Sequence, residues 1–118
     1  MAVYVPVLAS SARTADTTSK TFNVSDKYET AHIVVDVTAG SGFNLVFTVQ
    51  GYDQASGKSY TVLATPTINT AGTTVMKIGT DYTAAANIAK DILPFAWNVA
   101  VTQSGGISAT YSVGASLV

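Results

Sequence analysis

The sequence predicts an all-β protein, an antiparallel β-sandwich of about eight strands with an Ig-like or jelly-roll-like arrangement. Apolar and polar residues alternate along most of the chain, and Gly, Ser and Asn clusters separate the alternating runs. A strand with one apolar face needs a second apolar surface to cover it, so two packed sheets are expected. The 118 residues are 47% hydrophobic and 11% charged, which suits one domain with a largely uncharged polar surface.

The first 20 residues predict an N-terminal arm or edge strand followed by a loop. The segment begins with weak alternation and contains Pro6, which cannot donate a bond to a sheet ladder. Residues 10–20 have no apolar period. We therefore divide the chain into an arm over 1–20 and a single β-sandwich domain over 21–118, which opens with a short strand at 21–24.

The strongest pattern covers residues 30–53. Apolar residues line one face of a first strand, and after the glycine-rich turn at 40–42 a second strand repeats the alternation. The apolar positions are Ile33, Val35 and Val37 in the first strand and Phe43, Leu45, Phe47 and Val49 in the second. Two strands joined by a short glycine turn predict a β-hairpin with one apolar face.

A second hairpin is predicted around the turn at 55–57, with a strand that runs from Tyr60 until Pro66 ends it. A further strand is expected at 73–78, after the turn region 67–72.

A third hairpin is predicted at the end of the chain, where strands at 95–102 and 107–113 flank the glycine turn at 104–106. The aromatic residues expected to fill the sandwich core are Phe43, Phe47, Tyr60, Phe95, Trp97 and Tyr111.

Residues 81–90 form the one segment where a short helix competes with β-structure. Asp81 can cap a helix, and Ala84, Ala85 and Ala86 have the highest helix propensity. Because Pro94 limits the length to under about three turns, a short helix and an irregular crossover both stay open.

The charge pattern argues against several classes of partner. Six basic and seven acidic residues are scattered singly, so no cluster exists that could capture nucleic acid by counterion release. With no cysteine, disulfide and thiolate chemistry are excluded. The apolar N-terminal run is too short for a signal peptide, and no stretch is long enough to cross a membrane. We expect a cytosolic protein that is neither secreted by a signal peptide nor membrane-spanning.

No catalytic, metal or cofactor site is predicted. His32 is the single histidine, and Asp36 shares its strand face at about 13 Å, too far for a hydrogen bond. Zinc would lack a second nitrogen or sulfur ligand. Calcium would require loops to bring Asp53, Asp81 and Asp91 together.

Two weaker signals lie near the second hairpin. Gly57-Lys58-Ser59 resembles the end of a phosphate-binding loop, but Tyr52 stands where the first glycine is required and a strand follows, so Lys58 is interpreted as a hairpin residue. Tyr52, Tyr60 and Tyr82 are candidates for a sugar-binding platform, against a role in the core or its rim.

Four stretches of the sequence resemble the sequences of one group of proteins. They are Asp36-Val37-Thr38-Ala39, the hairpin Gln50-Gly51-Tyr52-Asp53-Gln54-Ala55-Ser56-Gly57-Lys58-Ser59-Tyr60, Thr83-Ala84-Ala85-Ala86-Asn87 with the following Leu93-Pro94 and Trp97, and Tyr111-Ser112-Val113-Gly114-Ala115. Together they resemble the small, Thr-rich β-sandwich proteins encoded among the structural genes of tailed bacteriophages. The resemblance covers residues 30–118. The family often carries a basic residue after the tryptophan, where this chain has Asn98, so no charged contact transfers to that position.

The resemblance implies a virion component, assembled in the host cytoplasm. The first expectation is a capsid decoration or minor capsid subunit that binds and stabilises the lattice of a major capsid protein, as a homo-oligomer on a symmetric lattice. The apolar arm is expected to contact the neighbour by strand addition or packing. The arm residues concerned are Val3, Tyr4, Val5, Val7 and Leu8.

The alternative expectation is a tail, neck or fibre-associated module that binds host glycans through Tyr52 and Tyr60. A small hydrolase using His32 or a carboxylate pair is a third reading, and the absence of a catalytic constellation in the sequence argues against it. We therefore expect no enzymatic activity, no cofactor, and no direct contact with nucleic acid or membrane.

Overall fold

The computed structural model describes residues 3–23, 28–105 and 108–118. Within these ranges the protein is all-β and has no helix, so the predicted all-β sandwich is confirmed. The described strands are β1 (Val3–Arg13), β2 (Thr17–Thr18), β3 (Phe22–Asn23), β4 (Ala31–Gly40), β5 (Asn44–Asp53), β6 (Lys58–Ala64), β7 (Gly72–Ile78), β8 (Ile88–Ala89), β9 (Ala96–Ser104) and β10 (Ala109–Leu117).

These strands form two five-stranded sheets. Sheet A has the order β1-β10-β4-β7-β8, and sheet B has the order β2-β9-β5-β6 with β3 also pairing with β9. The described pairs are antiparallel except for β7 with β8, which is parallel. The described part of the chain has ten strands rather than about eight, because the two-residue strands β2 and β8 extend the sheet edges.

The core lies between the two sheets and follows the predicted alternation. Ile33, Val35 and Val37 of β4 are buried, as are the alternate apolar residues of β5, β9 and β10. Across the core the rings of Phe47 and Tyr111 meet edge to face, with centroids 5.1 Å apart. Val24 and Ile107, which belong to the strands predicted at 21–24 and 107–113, lie outside the described residues.

Two of the three predicted hairpins are wrong. β4 and β5 lie in different sheets, and so do β9 and β10, so each connection crosses from one sheet to the other. At the first crossing, Gly40 and Gly42 have φ angles of 124° and 69°, which suit glycine and let the chain leave its sheet. The hairpin of β5 with β6 is confirmed by their antiparallel pairing. Strands that face each other across a core show the same alternation as strands paired in one sheet.

Of the two alternatives left open for residues 81–90, the structure shows the irregular crossover, and the short helix does not form. The backbone of this segment instead bonds to the edge of sheet A, where Lys77 N–H donates to Asn87 O (2.8 Å) and Gly79 N–H donates to Ala89 O (3.1 Å). Asn87 has a φ of 62°, which ends any right-handed helical run. A helix of so few turns has little stability of its own, and the strand edge offers bonds that satisfy the backbone.

Within the predicted arm, β1 pairs along its length with β10 as the edge strand of sheet A. It continues to Arg13, into the segment expected to be a loop. The reason is the Arg13 side chain, which donates to Tyr111 O (2.8 Å) and Ala9 O (2.7 Å) and lies 4.5 Å from the centre of the Tyr111 ring. The chain then crosses to sheet B, where Asp16 Oδ1 accepts from Gln103 N–H at 2.8 Å.

A pair of neighbouring valines on β4 tests this arrangement of faces. Val35 is buried in the core and Val34 is on the outer face of the same strand. Val35→Ala should lower the free energy of unfolding by about 2–3 kcal/mol, because it removes buried methyl groups and leaves a cavity. Val34→Ala is the matched control and should cost less than about 1 kcal/mol. Urea denaturation measures both, and equal losses would contradict the assigned faces.

Candidate functional site

An open cleft of about 440 Å³ lies where the β5–β6 hairpin extends beyond the core. Its apolar lining includes three of the most exposed large side chains in the described residues: Tyr60 (52%), Ile92 (54%) and Phe95 (61%). The complete lining is Tyr52, Asp53, Gln54, Tyr60, Ile92, Pro94, Phe95 and Ala96. A concave surface with exposed aromatic rings and a polar rim has the character of a binding site.

The position of Tyr60 depends on a glycine across the ladder. Tyr60 pairs with Gly51, and a Cβ on Gly51 would come within 2.2 Å of the Tyr60 ring. The missing side chain therefore lets the ring lie over the β5 backbone at the cleft wall. Tyr60 was predicted to fill the core, but it is half exposed, so the face of the hairpin that it shares with Gly51 is not covered at this position.

The opposite wall is the segment that leads into β9. Leu93 is buried, and its N–H donates to Glu29 O at 3.1 Å, which anchors the segment to the sandwich. Ile92 and Phe95 are exposed on either side of the buried Leu93 and Pro94. Phe95 was also predicted to be a core residue, and that prediction is wrong because β9 and its alternation begin only at Ala96.

The rim of the cleft carries a hydrogen-bonded carboxylate. Asp53 Oδ2 accepts from the Ser56 hydroxyl at 2.7 Å, and Asp53 Oδ1 accepts from Ala55 N–H at 3.3 Å. The bond from Ser56, followed by the bond from Ala55, holds the pKa of the Asp53 carboxyl below its ordinary value. Gly57, with a φ of 72°, closes the same turn by donating to Asp53 O at 2.8 Å. Lys58 then begins β6, so the glycine and lysine belong to a hairpin.

The structure distributes the predicted arm residues over different surroundings. Val3 and Tyr4 are exposed, Tyr4 to 66%, whereas Val5 and Leu8 are half-buried. Val7 is buried in the core, so its side chain is not available for an outside contact. The structure brings together the two predicted cleft residues, Tyr52 and Tyr60, and places the arm residues separately on the edge of sheet A.

The outer edge of β1 is open because β10 pairs with one side of it only. Pro6 is in register with Gly114, and since proline has no N–H, the ladder bonds must pass through the residues on either side of it. Tyr4 and Pro6 therefore turn their backbone groups away from β10. Further along the strand Arg13 occupies the carbonyls of Ala9 and Ser11, so the open edge is the part before Leu8.

The residues considered for catalysis or metal binding are not assembled into a cluster. His32 is exposed, and its Nε2 lies 2.9 Å from the Tyr82 hydroxyl. Asp36 instead accepts a hydrogen bond from Thr73 at 3.1 Å. Over residues 3–23, 28–105 and 108–118, no group of three or more His, Asp and Glu residues could hold a metal ion. The same ranges contain no helix that could span a membrane.

Comparison with known proteins reveals likeness of fold. No protein-family model and no curated protein matches this sequence. A chain in the structure of infectious bursal disease virus, Gx strain, is 13% identical with a TM-score of 0.53, and a chain in the structure of the Gt strain is 13% identical with a TM-score of 0.49. Each comparison covers 98% of this chain and 32% of the virus chain, so the protein spans about a third of the length of those chains. The protein is therefore a small β-sandwich whose fold is shared with a chain of a virus structure.

The hydrogen bonds of Asp53 generate a measurable prediction. Ser56→Ala should raise the pKa of Asp53 toward its ordinary value, because it removes the bond with the largest effect. The pKa of Asp53 is lower in the folded protein than in the unfolded chain. The stabilisation from this turn is therefore fully present above the pKa of the unfolded chain and is lost as the pH falls through the pKa of the folded protein. A carbon-13 NMR titration of the carboxyl group measures the shift.

Ser59→Ala, a substitution of an exposed serine on the same hairpin, is the matched control and should leave the pKa of Asp53 unchanged. If Ser56→Ala also leaves it unchanged, the side-chain bond does not hold the turn.

Proposed function

We propose that this chain is a structural protein of a virus particle, a capsid decoration or minor capsid subunit of the tailed-bacteriophage type. It binds the lattice of the major capsid protein and reinforces it. The shared fold with a chain of a virus structure supports a virion role, and the resemblance of residues 30–118 supports the phage type. We also propose that the role is structural and not enzymatic.

The open edge of β1 is the observation on which the proposal depends. It presents Tyr4 N–H, Tyr4 C=O and Pro6 C=O without a partner strand in the described residues. Exposed strand edges attract other strands, and proteins usually protect them with charge, proline, a β-bulge or cover. On β1, Pro6 removes one outward donor and the register shifts from Pro6 to Ser11 interrupt the edge, so the open part is the short run around Tyr4. Here the part of β1 before Leu8 contains no charged residue, which suits addition of a strand from a neighbouring capsid subunit.

The character of the exterior fits binding to a repeating lattice. The outward residues of β5 and β9 in sheet B carry no charge, so covering them would not require a charge to be desolvated. The accessible residues are Asn44, Val46, Thr48, Gln50, Ala100, Thr102 and Ser104, whereas Asn98 is itself buried. On a symmetric shell many modest contacts act together, so a short edge can hold a subunit in place.

A second candidate function is favoured by the cleft. The structure brings Tyr52 and Tyr60 into one concave surface with Phe95, beside the hydrogen-bonding groups of Asp53 and Gln54. Aromatic faces with adjacent polar groups suit the apolar faces and hydroxyls of a sugar ring. On this proposal the chain is a tail, neck or fibre-associated module that binds host-surface glycans.

Replacement of one backbone donor tests the strand-addition proposal. Tyr4→Pro should leave pairing with β10 intact, as Pro6 already does, while it removes the outward N–H of β1. We expect the number of copies of this chain per purified particle to fall, as measured by quantitative mass spectrometry.

Tyr4→Val is the matched control, because it removes the ring but keeps the N–H, and it should retain occupancy. Undiminished occupancy for Tyr4→Pro would rule out strand addition at this edge. In wild-type particles, a copy number that matches the shell lattice supports the decoration role, whereas a copy number that matches a tail or neck ring supports the alternative.

The glycan proposal has its own test. Tyr60→Ala should weaken binding to any glycan identified on a glycan array at least about tenfold, because one stacking face of the cleft is lost. Tyr4→Ala removes an exposed tyrosine away from the cleft and should have no effect. Equal binding by the wild type and Tyr60→Ala would exclude the cleft as the glycan site.

A further inference from the structure

An uninterrupted row of apolar positions crosses the outer face of sheet A. Pro6, Gly114, Val34 and Val75 are in register on the four adjacent strands β1, β10, β4 and β7. All but the half-exposed Gly114 are exposed. The Tyr4 ring folds onto this row, since a Cβ on Gly114 would come within 2.5 Å of its hydroxyl. We call these five residues the apolar row.

The two sides of the apolar row carry opposite charges. Two residues away along the strands, Lys77 lies on one side in register with His32. On the other side Asp36 lies in register with Thr73, and its carboxylate accepts one bond from the Thr73 hydroxyl at 3.1 Å. A carboxylate can accept up to about four hydrogen bonds, so Asp36 retains capacity for a cation.

We propose that a second copy of this chain packs against the outer face of sheet A, with a two-fold axis along the apolar row. Rotation by a half-turn about that axis places the apolar row of one copy on the apolar row of the other. The side of the row that carries Lys77 in one copy then lies opposite the side that carries Asp36 in the other. Lys77 of each copy then faces the Asp36 side of its mate, so every charged contact forms twice. A two-fold interface must be self-complementary in this way.

The size of the face is compatible with a weak dimer. The longest of the four strands that cross it have 11 and 10 residues. With about 3.3 Å per residue and about 4.8 Å between strands, the face measures roughly 600 Å². Val34 has three residues of β4 on one side and six on the other, so rotation about the row overlaps only about seven residues of each strand. The overlap is roughly 440 Å² per copy, or roughly 900 Å² in total, which is below the range for stable complexes and fits a weak, reversible dimer. Face-to-face packing of sheets is also how the sandwich itself is built.

This interface shares Tyr4 and Pro6 with the open edge of β1 but uses different groups of them. It uses side chains on the outer face of sheet A, whereas strand addition uses backbone groups at the sheet edge, and the cleft is lined by residues 52–60 and 92–96. Substitutions at Val34 and Val75, which lie away from the edge strand, therefore test the inference without altering the strand-addition edge. Within the described residues, the outer face of sheet A is the sheet face that carries both an apolar row and charges of opposite sign, and we propose that the second copy binds there.

Analytical ultracentrifugation of the full chain tests the inference. We expect a reversible monomer–dimer equilibrium for the wild type. Val34→Glu should raise the dimer dissociation constant at least about tenfold, because two carboxylates meet near the axis. Val46→Glu places the same substitution on the outer face of sheet B and should leave the constant unchanged. Circular dichroism checks that each variant folds, and Val75→Glu serves as a second variant of the row.

A charge exchange tests the two-fold arrangement. Asp36→Lys should weaken the dimer, because it places like charges opposite each other, and the double variant Asp36→Lys with Lys77→Glu should restore it. A wild-type chain that stays monomeric at its highest soluble concentration would overturn the proposal. Equal effects of Val34→Glu and Val46→Glu would do the same, and so would failure of the double variant to restore association.

Discussion

The structure depends on one constraint: the apolar faces of two sheets must cover each other. Each long strand offers one such face, and burial of alternate residues from β4, β5, β9 and β10 forms the core. Arg13 stabilises the place where the chain first crosses between the sheets. Its guanidinium donates hydrogen bonds to carbonyls of β1 and β10 and lies over the Tyr111 ring. Other features follow from where the two faces overlap and where they do not.

The cleft lies at a place where the inner face of sheet B is not covered. Tyr60 pairs with the buried Gly51 but is 52% exposed, and it lines one cleft together with Ile92 and Phe95. Tyr60 and Phe95, which look like core residues in the sequence, become walls of the cleft.

The distribution of charge explains how the remaining surfaces differ. The outward faces of β5 and β9 are uncharged, whereas the outer face of sheet A carries Lys77 and Asp36 on opposite sides of the apolar row. Uncharged polar surface is easily covered by a neighbour but confers little orientation, while paired charges fix the register of a contact. The described surface therefore has an open edge, an uncharged face, and a charged face with an apolar row.

By itself the sequence determined the strands, the direction of their apolar faces and the β5–β6 hairpin, because alternation of period two and a short turn are local properties. It did not determine which strands pair. The apolar faces of β4 and β5 alternate identically whether the strands are neighbours in one sheet or oppose each other across the core, so only the tertiary structure assigned them to different sheets. The same holds for the segment 81–90, where bonds from Lys77 and Gly79 on the edge of sheet A outweigh a weak local helix preference. The predicted hairpin already places Tyr52 near Tyr60, but only the tertiary structure adds Phe95 to them, because Phe95 comes from a distant part of the chain.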